Sequence, residues 1–416
     1  MNIRANTPAA ATAPAKQSFA ALRHAGYRAQ FVTYVLAMMA DNIEHVISYW
    51  VVFRKFQSPA LAGFAVVSHW LPFLMFSVAA GALADRLDPR RLIQCGMVLF
   101  IIASLGWGYF FITDTLEMWH AMVLLVIHGC AGVLWQSPGQ VLLYDIVGPA
   151  DLSSAVRLNA TARYLGVLVG PAMGGAILLA LGPSLGIFLN TVFYLPLILW
   201  LVNAPYGPRF RKGAPPRRAV RGLADIVQTI RDIAGHRVIV SMTLLGGCAS
   251  FFVGNAYNAQ MPGFALDLGH GDPGVAYSAL LAADAAGALL AGVLLESRAL
   301  LAAKARTAII LAVLWCCALM GFSLATVYPL ALALLFTAGF FELAFNAMAQ
   351  TLVQLSAPNE IRGRVIGLYN MASLGLRAFS GVTVGLIGSL LGVHWSLALS
   401  ALAMLAIACG LLGLRR

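Results

Sequence analysis

Long apolar stretches separated by short polar loops run through the whole chain. Three of them, 164–208, 307–341 and 378–414, contain no Asp, Glu, Lys or Arg. A membrane helix needs about 20 mostly apolar residues, so each stretch is too long for one helix, and a turn signal such as Gly182-Pro183 divides it. The pattern predicts twelve spans, at 27–53, 59–84, 92–112, 119–144, 157–181, 184–203, 238–263, 274–296, 307–326, 329–355, 364–391 and 393–414.

The polar segments between these spans predict the domain organisation. Residues 1–26 form an Ala-, Pro- and Thr-rich cytoplasmic tail that is expected to be disordered. Residues 204–237 form an Arg-rich cytoplasmic linker, whose later part is predicted to be a short surface helix. This linker separates an N-terminal six-helix bundle, 27–203, from a C-terminal six-helix bundle, 238–416.

The composition agrees with a membrane location. Apolar residues make up 60% of the chain and charged residues only 10%, whereas a soluble domain carries about 25% charged residues. This excludes a soluble globular protein, a disordered chain and a coiled coil. The predicted fold class is an all-α polytopic membrane protein with twelve transmembrane helices.

The net charge of +11 has a topological explanation. Of the 27 Lys and Arg residues, 23 fall at or near the two ends of the chain, in the linker and in the loops on the same side of the membrane. Because basic loops stay in the cytoplasm, both termini are predicted to be cytoplasmic, in a bacterial inner membrane. Membrane lipid is therefore an expected partner, and nucleic acid is not.

An internal repeat relates the two halves of the chain. At an offset of 211, Gly81 and Asp85 correspond to Gly292 and Glu296. At offsets of 209 and 210, further matches relate span 4 to span 10 and the segment after span 4 to the segment after span 10. Related six-helix halves predict an alternating-access transporter with its substrate site between them, near the membrane midplane.

Two motifs resemble those of the major facilitator superfamily. The loop after span 2 reads GALADRLDPRR from Gly81 to Arg91, and span 5 reads GVLVGPAMGG from Gly166 to Gly175. The first is similar to the 2–3 loop signature of this superfamily, and the second to its antiporter motif. The order of features along the chain most resembles the enterobactin-exporter-like branch, which exports drugs and siderophores.

The resemblance implies a gate at the cytoplasmic side. In the family an Asp of the 2–3 loop, here Asp85, forms a charge latch with an Arg of that loop and with the Asp that closes span 4, here Asp145. The family's Arg position falls on Pro89 in this chain, so Arg86 or Arg90 must take its place.

The small residues of both motifs also have a packing explanation. Gly81 allows two helices to approach closely, and Asp85 is placed to face the positive end of a neighbouring helix. In span 5, small residues let helices touch and a proline bends the helix. The gating or packing residues of span 5 are Gly166, Gly170, Pro171, Gly174 and Gly175.

Ionisable residues inside a membrane are costly and are functional candidates by default. Asp41 and His45 share one face of span 1, and Glu44 is adjacent. Asp284 and Glu342 lie near the middle of spans 8 and 10. We predict that these five residues couple transport to protons, the alternative being a fixed structural network. His69 and His128 are expected to be packing residues.

Arginine, aromatic and amide side chains near the predicted cavity are candidates for substrate binding. Arg377 lies near the middle of span 11, whereas Arg163 could instead extend to the cytoplasm. The complete set of candidates is Trp135, Gln136, Gln140, Arg163, Asn255, Tyr257, Asn258, Asn346, Gln350 and Arg377.

The favoured function is a proton-coupled exporter of a small organic molecule, such as a drug-like compound or siderophore, acting as a monomer. Proton-coupled import, or transport of a metal or of siderophore iron, remains an alternative, although Asp41, Glu44 and His45 lack a second ligand set in the sequence. A non-transporting sensor is a more remote alternative. No cofactor, metal site or catalytic motif is expected, so an enzyme is disfavoured.

Overall fold

The computed structural model describes residues 18–56, 58–210, 222–254, 256–269, 273–298, 301, 303–380 and 391–413. All regular secondary structure within these ranges is helical. Among the described residues, seven helical stretches are long and apolar enough to cross a membrane, and one of them, Met118–Asn203, contains three of the predicted spans.

Five helices precede the linker. They are α1 (Ala25–Phe56), α2 (Pro59–Arg86), α3 (Pro89–Thr113), α4 (Met118–Val192) and α5 (Leu195–Asn203), and a short 3₁₀ helix, Ala20–Arg23, lies before α1. The long α4 is broken at Gly148 and Gly182, where φ is +68° and +74°. A positive φ is easily adopted by glycine, and each glycine is followed by a proline. The breaks leave three segments, α4a (118–147), α4b (149–181) and α4c (183–192).

The remaining helices follow residue 222. They are α6 (Leu223–Ile233), α7 (Arg237–Phe252), α8 (Ala256–Asp267), α9 (Pro273–Ser297), α10 (Ala305–Ser323), α11 (Tyr328–Ser356), α12 (Arg362–Asn370), α13 (Arg377–Ser380) and α14 (Val393–Gly413). A π-helical turn, Met371–Gly375, connects α12 to α13, and a 3₁₀ turn, Asn359–Ile361, precedes α12.

Several helix pairs join the N-terminal helices, α1 to α5, to the C-terminal helices, α7 to α14, and two of these pairs are closely packed at glycines. α2 packs on α12, and α4b packs on α9, and glycines lie at both contacts. A methyl group on Gly81 would overlap the carbonyl oxygen of Gly363, and a methyl group on Gly292 would overlap the Thr161 hydroxyl. Small residues therefore bring the backbones of both pairs close together.

The helix of the linker is tied to this junction. In α6, Asp225 is 4% exposed, and its Oδ1 lies 3.2 Å from Nε of Arg364 in α12. A buried, paired carboxylate of this kind fixes the linker helix against the C-terminal helices.

Candidate functional site

A cavity of ≈ 820 Å³ lies between the N-terminal and C-terminal helices. Its volume is in the range of small-molecule sites. The cavity brings together predicted site residues from α1, α4, α8, α9, α11 and α13, and one histidine from α2. These residues are Asp41, His45, His69, Trp135, Gln136, Arg163, Tyr257, Asp284, Glu342 and Arg377.

Two carboxylates meet one hydroxyl on the C-terminal wall of this cavity. The Tyr257 hydroxyl lies 3.4 Å from Oδ2 of Asp284 and 3.5 Å from Oε2 of Glu342. Both acids are buried: Asp284 on α9 is 7% exposed, and Glu342 on α11 is 8% exposed. Because one hydroxyl proton can serve only one acceptor at a time, the two acids compete for it.

Two arginines face the same cavity. Arg163 and Arg377 both line it, so Arg163 extends into the space between the halves. The Arg377 guanidinium lies 5.0 Å from the centre of the Trp70 ring, a cation–π contact from α13 to α2. The Arg377 Nε is buried and has no hydrogen-bond partner in the described part of the chain.

The N-terminal wall carries a polar network inside the α1, α3 and α4a bundle. His128 Nδ1 lies 2.9 Å from Oε1 of Glu44, and its Nε2 lies 2.8 Å from Oδ1 of Asp41. The Ser104 hydroxyl donates to the other oxygen of Glu44. Glu44 is 2% exposed and therefore lies behind the cavity surface that Asp41 and His45 form.

The expectation that His128 and His69 only pack is incomplete. His128 contacts two acids on α1, and His69 lines the cavity beside His45. No local pattern marks either residue, because each is a single histidine in an apolar helix whose partners are on other helices. The available signal was that several polar residues of spans 1, 2 and 4 needed partners inside the membrane.

A second, smaller cavity of ≈ 70 Å³ is lined by three further amide candidates, Gln140, Asn346 and Gln350. Trp135, Gln136, Arg163 and Arg377 line this cavity as well. Gln140 connects the halves directly, because its Nε2 donates to Asn370 at 3.1 Å and its Oε1 accepts from Gln354 at 3.2 Å. Asn255 and the side chain of Asn258 lie outside the described residues.

Asp85 binds the start of a helix in the opposite half. Its Oδ1 accepts from the backbone N–H of Gly363 at 2.6 Å, and its Oδ2 accepts from that of Arg364 at 3.1 Å. The N-terminus of a helix stabilises an anion through its free amides and its dipole. Asp85 and Gly81 therefore hold α2 against α12.

Arg90, one of the two arginines predicted as alternatives for this latch, binds a different acid in this structure. Pro89 begins α3 with Asp88 as its N-cap, and Arg90 binds Asp88 at 2.6 Å and the carbonyl of Ala204. Burial favours the neutral form of Asp88, but hydrogen bonds from Arg90 outweigh burial and lower the Asp88 pKa. Arg86 is exposed at the end of α2, and Asp145 lies one turn before the break at Gly148.

The symmetry-related contact is made by Glu296, which is not among the predicted gating residues. Oε2 of Glu296 lies 2.7 Å from Arg157, and Oε1 accepts from the Ser154 hydroxyl. Glu296 is fully buried, and it joins α9 to α4b as Asp85 joins α2 to α12. The internal repeat contained the signal, because Glu296 matches Asp85 and Ser154 matches Gly363.

The glycines of span 5 pack in register against α1. A methyl group on Gly166 would lie 2.7 Å from Cβ of Met38, and one on Gly170 would lie 2.5 Å from Cβ of Asn42. The next contact, Gly174 with Val46, continues the four-residue spacing along both helices. A methyl group on Gly175 would meet no atom within 4 Å in the part of the chain that the structure describes, and Pro171 lines the large cavity.

Comparison with known proteins places this geometry in a family. Residues 30–381 match the family model of the Major Facilitator Superfamily. The chain is 24% identical over 205 residues to the uncharacterized MFS-type transporter YfiS of Bacillus subtilis, covering 48% of this chain and 47% of that protein. It is 29% identical over 121 residues to a Salmonella typhi protein that carries the multidrug resistance name MdtD, covering 29% of this chain and 25% of that protein. The chain thus spans about half of the length of YfiS and a quarter of MdtD.

Solved structures show the same fold at low identity. The transporter FucP in its outward conformation has a TM-score of 0.75 and 12% identity, over 94% of this chain and 98% of FucP. The human organic anion transporter MFSD10 has a TM-score of 0.70 and 13% identity, over 93% of this chain and 99% of MFSD10. The predicted all-α major facilitator fold is confirmed.

Proposed function

Because the chain belongs to the Major Facilitator Superfamily and is a transporter of that family, we propose that it exports a small organic molecule in exchange for protons. The observation that carries this proposal is the pair of buried carboxylates, Asp284 and Glu342, on the wall of the central cavity. A carboxyl pair at this position can exchange a proton with the space that holds the substrate.

The physical argument rests on like charge in a buried site. Two carboxylates near one hydroxyl repel each other when both are ionised, which favours a state with one shared proton. The groups that face the pair are the hydroxyls of Tyr257 and Tyr164 and the guanidinium groups of Arg163 and Arg377. A substrate that approaches these arginines changes the charge balance around the acids, and this links proton release to substrate binding.

The other residues predicted to couple transport to protons, Asp41, Glu44 and His45, belong to the N-terminal side of the cavity. Asp41 and His45 line the cavity, whereas Glu44 is bound to His128 and Ser104 behind it. A carboxylate held by two donors is the less suitable proton carrier, so we assign the main coupling step to Asp284 and Glu342.

The cross-half contacts support alternating access. Asp85 with α12 and Glu296 with Arg157 hold the halves together at the end where α2 and α9 terminate. The basic loops are concentrated at that end, so we place it in the cytoplasm. We infer that the cytoplasmic gate is closed in this conformation and that both contacts must break before it can open.

The cavity lining supports an organic substrate. Trp135, Phe100 and Tyr164 offer aromatic surface, and Gln136 and the arginines offer directed hydrogen bonds. Such a mixture binds mid-sized molecules with polar groups. The partial similarity to MdtD, in name a multidrug resistance protein, supports efflux rather than uptake.

The test is transport into inside-out membrane vesicles that contain the protein. Ethidium serves as a cationic probe and dichlorofluorescein as an anionic probe, each with an imposed proton gradient and with a protonophore added. We expect at least one probe to accumulate only with the gradient, and this accumulation to disappear in the Asp284→Asn variant.

Asp114→Asn is the matched control, because Asp114 is an exposed carboxylate paired with Lys55 at 2.7 Å, away from the cavity. It should accumulate the probe as the wild type does. If the wild-type protein accumulated the probe equally with and without the proton gradient, proton-coupled export would be refuted. Gradient-driven accumulation only in right-side-out vesicles would instead establish the importer, and a sensor would accumulate neither probe in either orientation.

A further inference from the structure

Three histidine rings from three helices converge on the N-terminal wall of the cavity. His45 on α1, His69 on α2 and His128 on α4a have ring centroids 4.6 to 5.6 Å apart. One nitrogen from each ring can be chosen so that all three lie within 4.8 Å of one another. The span pattern did not predict this cluster, because the three residues are far apart in the sequence.

The hydrogen bonds leave ring nitrogens free to bind. His45 Nδ1 lies 2.8 Å from the backbone carbonyl oxygen of Asp41 and donates to it, so its Nε2 keeps a lone pair. His69 Nδ1 is buried and has no hydrogen-bond partner among the described residues. Unpartnered nitrogens in a buried site are costly unless something binds them.

The contact between His128 and Asp41 also contains buried polar atoms that lack a well-formed hydrogen bond. His128 Nδ1 faces Glu44, and its Nε2 lies 2.8 Å from Oδ1 of Asp41. Neither of these two close atoms forms a hydrogen bond of good geometry with any described residue. The His128 side chain is only 4% exposed, so water outside the protein cannot satisfy it. When His128 is neutral and its Nδ1–H donates to Glu44, Nε2 and the Asp41 oxygen each present a lone pair, and a cation that binds both stabilises this contact.

The surroundings match those of a metal-binding histidine. Metal-bound histidines commonly donate their other ring N–H to a carboxylate or a backbone carbonyl, which fixes the tautomer. His128 has Glu44 in this position, and His45 has the carbonyl of Asp41. Asp41 and Glu44 also supply two negative charges that a divalent ion would balance.

We propose that His45, His69 and His128, together with Asp41, form a binding site for a divalent transition-metal ion such as Zn²⁺ or Co²⁺. Three imidazoles and one carboxylate make a complete four-coordinate set for these ions and a poor one for Mg²⁺ or Ca²⁺. Tetrahedral ligands at about 2.0 Å from the ion are about 3.3 Å apart, so binding draws the rings closer together. Asp41, His45 and His69 line the large cavity, which gives the ion a route to the site.

Direct metal binding to the purified full chain tests this site without any transport assay. The affinity tag is removed, and Co²⁺ is added while its visible ligand-field absorption is recorded. We expect about one Co²⁺ per chain with the strong bands of four-coordinate cobalt, and loss of these bands when Zn²⁺ displaces it. His69→Gln, His128→Gln and Asp41→Asn should each weaken Co²⁺ binding by about tenfold or more.

His69→Gln is the decisive variant, because the His69 Nδ1 has no described hydrogen bond whose loss would unfold the protein. The matched control is His236→Gln, an exposed histidine before α7, which should bind Co²⁺ as the wild type does. A second measurement is thermal stability, which Zn²⁺ should raise in the wild type and in His236→Gln but not in His69→Gln.

Two results would overturn the proposal. One is a wild-type protein that shows no four-coordinate cobalt spectrum and no stabilisation by Zn²⁺. This would mean that His128 is held as an imidazolium between Asp41 and Glu44. The other is a folded His69→Gln variant that binds Co²⁺ as tightly as the wild type, which would place the ion elsewhere. Neither result depends on whether the protein exports an organic substrate.

Discussion

Asp85 accepts a hydrogen bond from the backbone N–H of Gly363, with Oδ1 2.6 Å from the nitrogen, and so joins the end of α2 to the start of α12. One turn earlier, Gly81 lies against the same glycine so closely that no side chain fits. The anion thus binds free helix amides at a point where two backbones touch. This contact has to break before the two halves can separate at this end.

Asp85→Asn should therefore favour the conformation that is open at this end. An amide has one acceptor oxygen instead of two and carries no charge, and hydrogen bonds to charged groups contribute about 1.5–3 kcal/mol. A change of about 1.4 kcal/mol alters a population ratio tenfold. Spin labels at the exposed positions Arg91 and Arg298, in a chain with its own cysteines replaced, should show a new population at longer distance.

The control for this measurement is Asp114→Asn, which neutralises an exposed carboxylate on the loop after α3. It should leave the distance distribution unchanged. If Asp85→Asn also left it unchanged, Asp85 would stabilise the local helix end but would not govern the opening.

The two cross-half glycines should differ in how their substitution can be rescued. A methyl group on Gly81 meets the backbone of Gly363, whereas the three nearest atoms to one on Gly292 all belong to the side chain of Thr161. Both alanine variants should lower the thermal unfolding midpoint, because overpacking costs about 1–3 kcal/mol. Adding Thr161→Ala should recover much of the decrease in unfolding midpoint caused by Gly292→Ala. It should recover none of the decrease caused by Gly81→Ala.

A double-mutant cycle of Gly292→Ala and Thr161→Ala, followed by fluorescence-detected size-exclusion after heating, measures this rescue. Strict additivity of the two substitutions would contradict it. In that case the α4b–α9 contact would not depend on the side chain that the glycine faces.

Much of the fold follows from the sequence for identifiable reasons. The membrane demands long apolar helices, so span pattern alone predicted the all-α architecture. The repeat at an offset of 211 paired Gly81 and Asp85 with Gly292 and Glu296, and both pairs lie at contacts between the halves. Duplicated segments keep corresponding positions at corresponding contacts, which is why so short a match was informative.

The side-chain partners were less predictable. Arg90 could reach Asp85 on the basis of spacing, but Pro89 starts a helix there and makes Asp88 its nearest acid. His128 contacts Glu44, 84 residues away, through the packing of α4a on α1. Such pairs depend on the rotation of each helix about its axis, which hydropathy determines only coarsely.

Within the span 5 motif, substitution by alanine should lower the stability of the protein at Gly170 but not at Gly175. A methyl group on Gly170 would lie 2.5 Å from Cβ of Asn42, while one on Gly175 has no atom of the described residues within 4 Å. Gly170→Ala should therefore destabilise the protein by about 1–3 kcal/mol. Gly175→Ala should be neutral or slightly stabilising, since alanine favours a helix over glycine.

Thermal unfolding of the two variants, purified in the same detergent, checks this difference. Equal destabilisation would mean that glycine is needed throughout the motif for backbone flexibility. Close packing of α4b on α1 would then be the wrong explanation for its glycines.

The carboxyl pair leads to a prediction about partial reactions. Asp284 and Glu342 share the Tyr257 hydroxyl and line the cavity wall. In an antiporter, exchange of labelled for unlabelled substrate needs no net movement of protons, whereas accumulation against a gradient does. Asp284→Asn and Glu342→Gln should therefore lose gradient-driven accumulation but keep substrate exchange, and Tyr257→Phe should show a partial loss of accumulation.

Proteoliposomes loaded with a transported probe allow both reactions to be measured on one preparation of each variant. Asp267→Asn provides the matched control, because Asp267 is a half-exposed carboxylate that pairs with His394 away from the pair, and both reactions should persist there. A variant of the carboxyl pair that lost exchange together with accumulation would bind substrate through that acid. Retention of full accumulation in both Asp284→Asn and Glu342→Gln would remove the pair from the coupling mechanism and leave Asp41 as the acid to test, since it lines the same cavity.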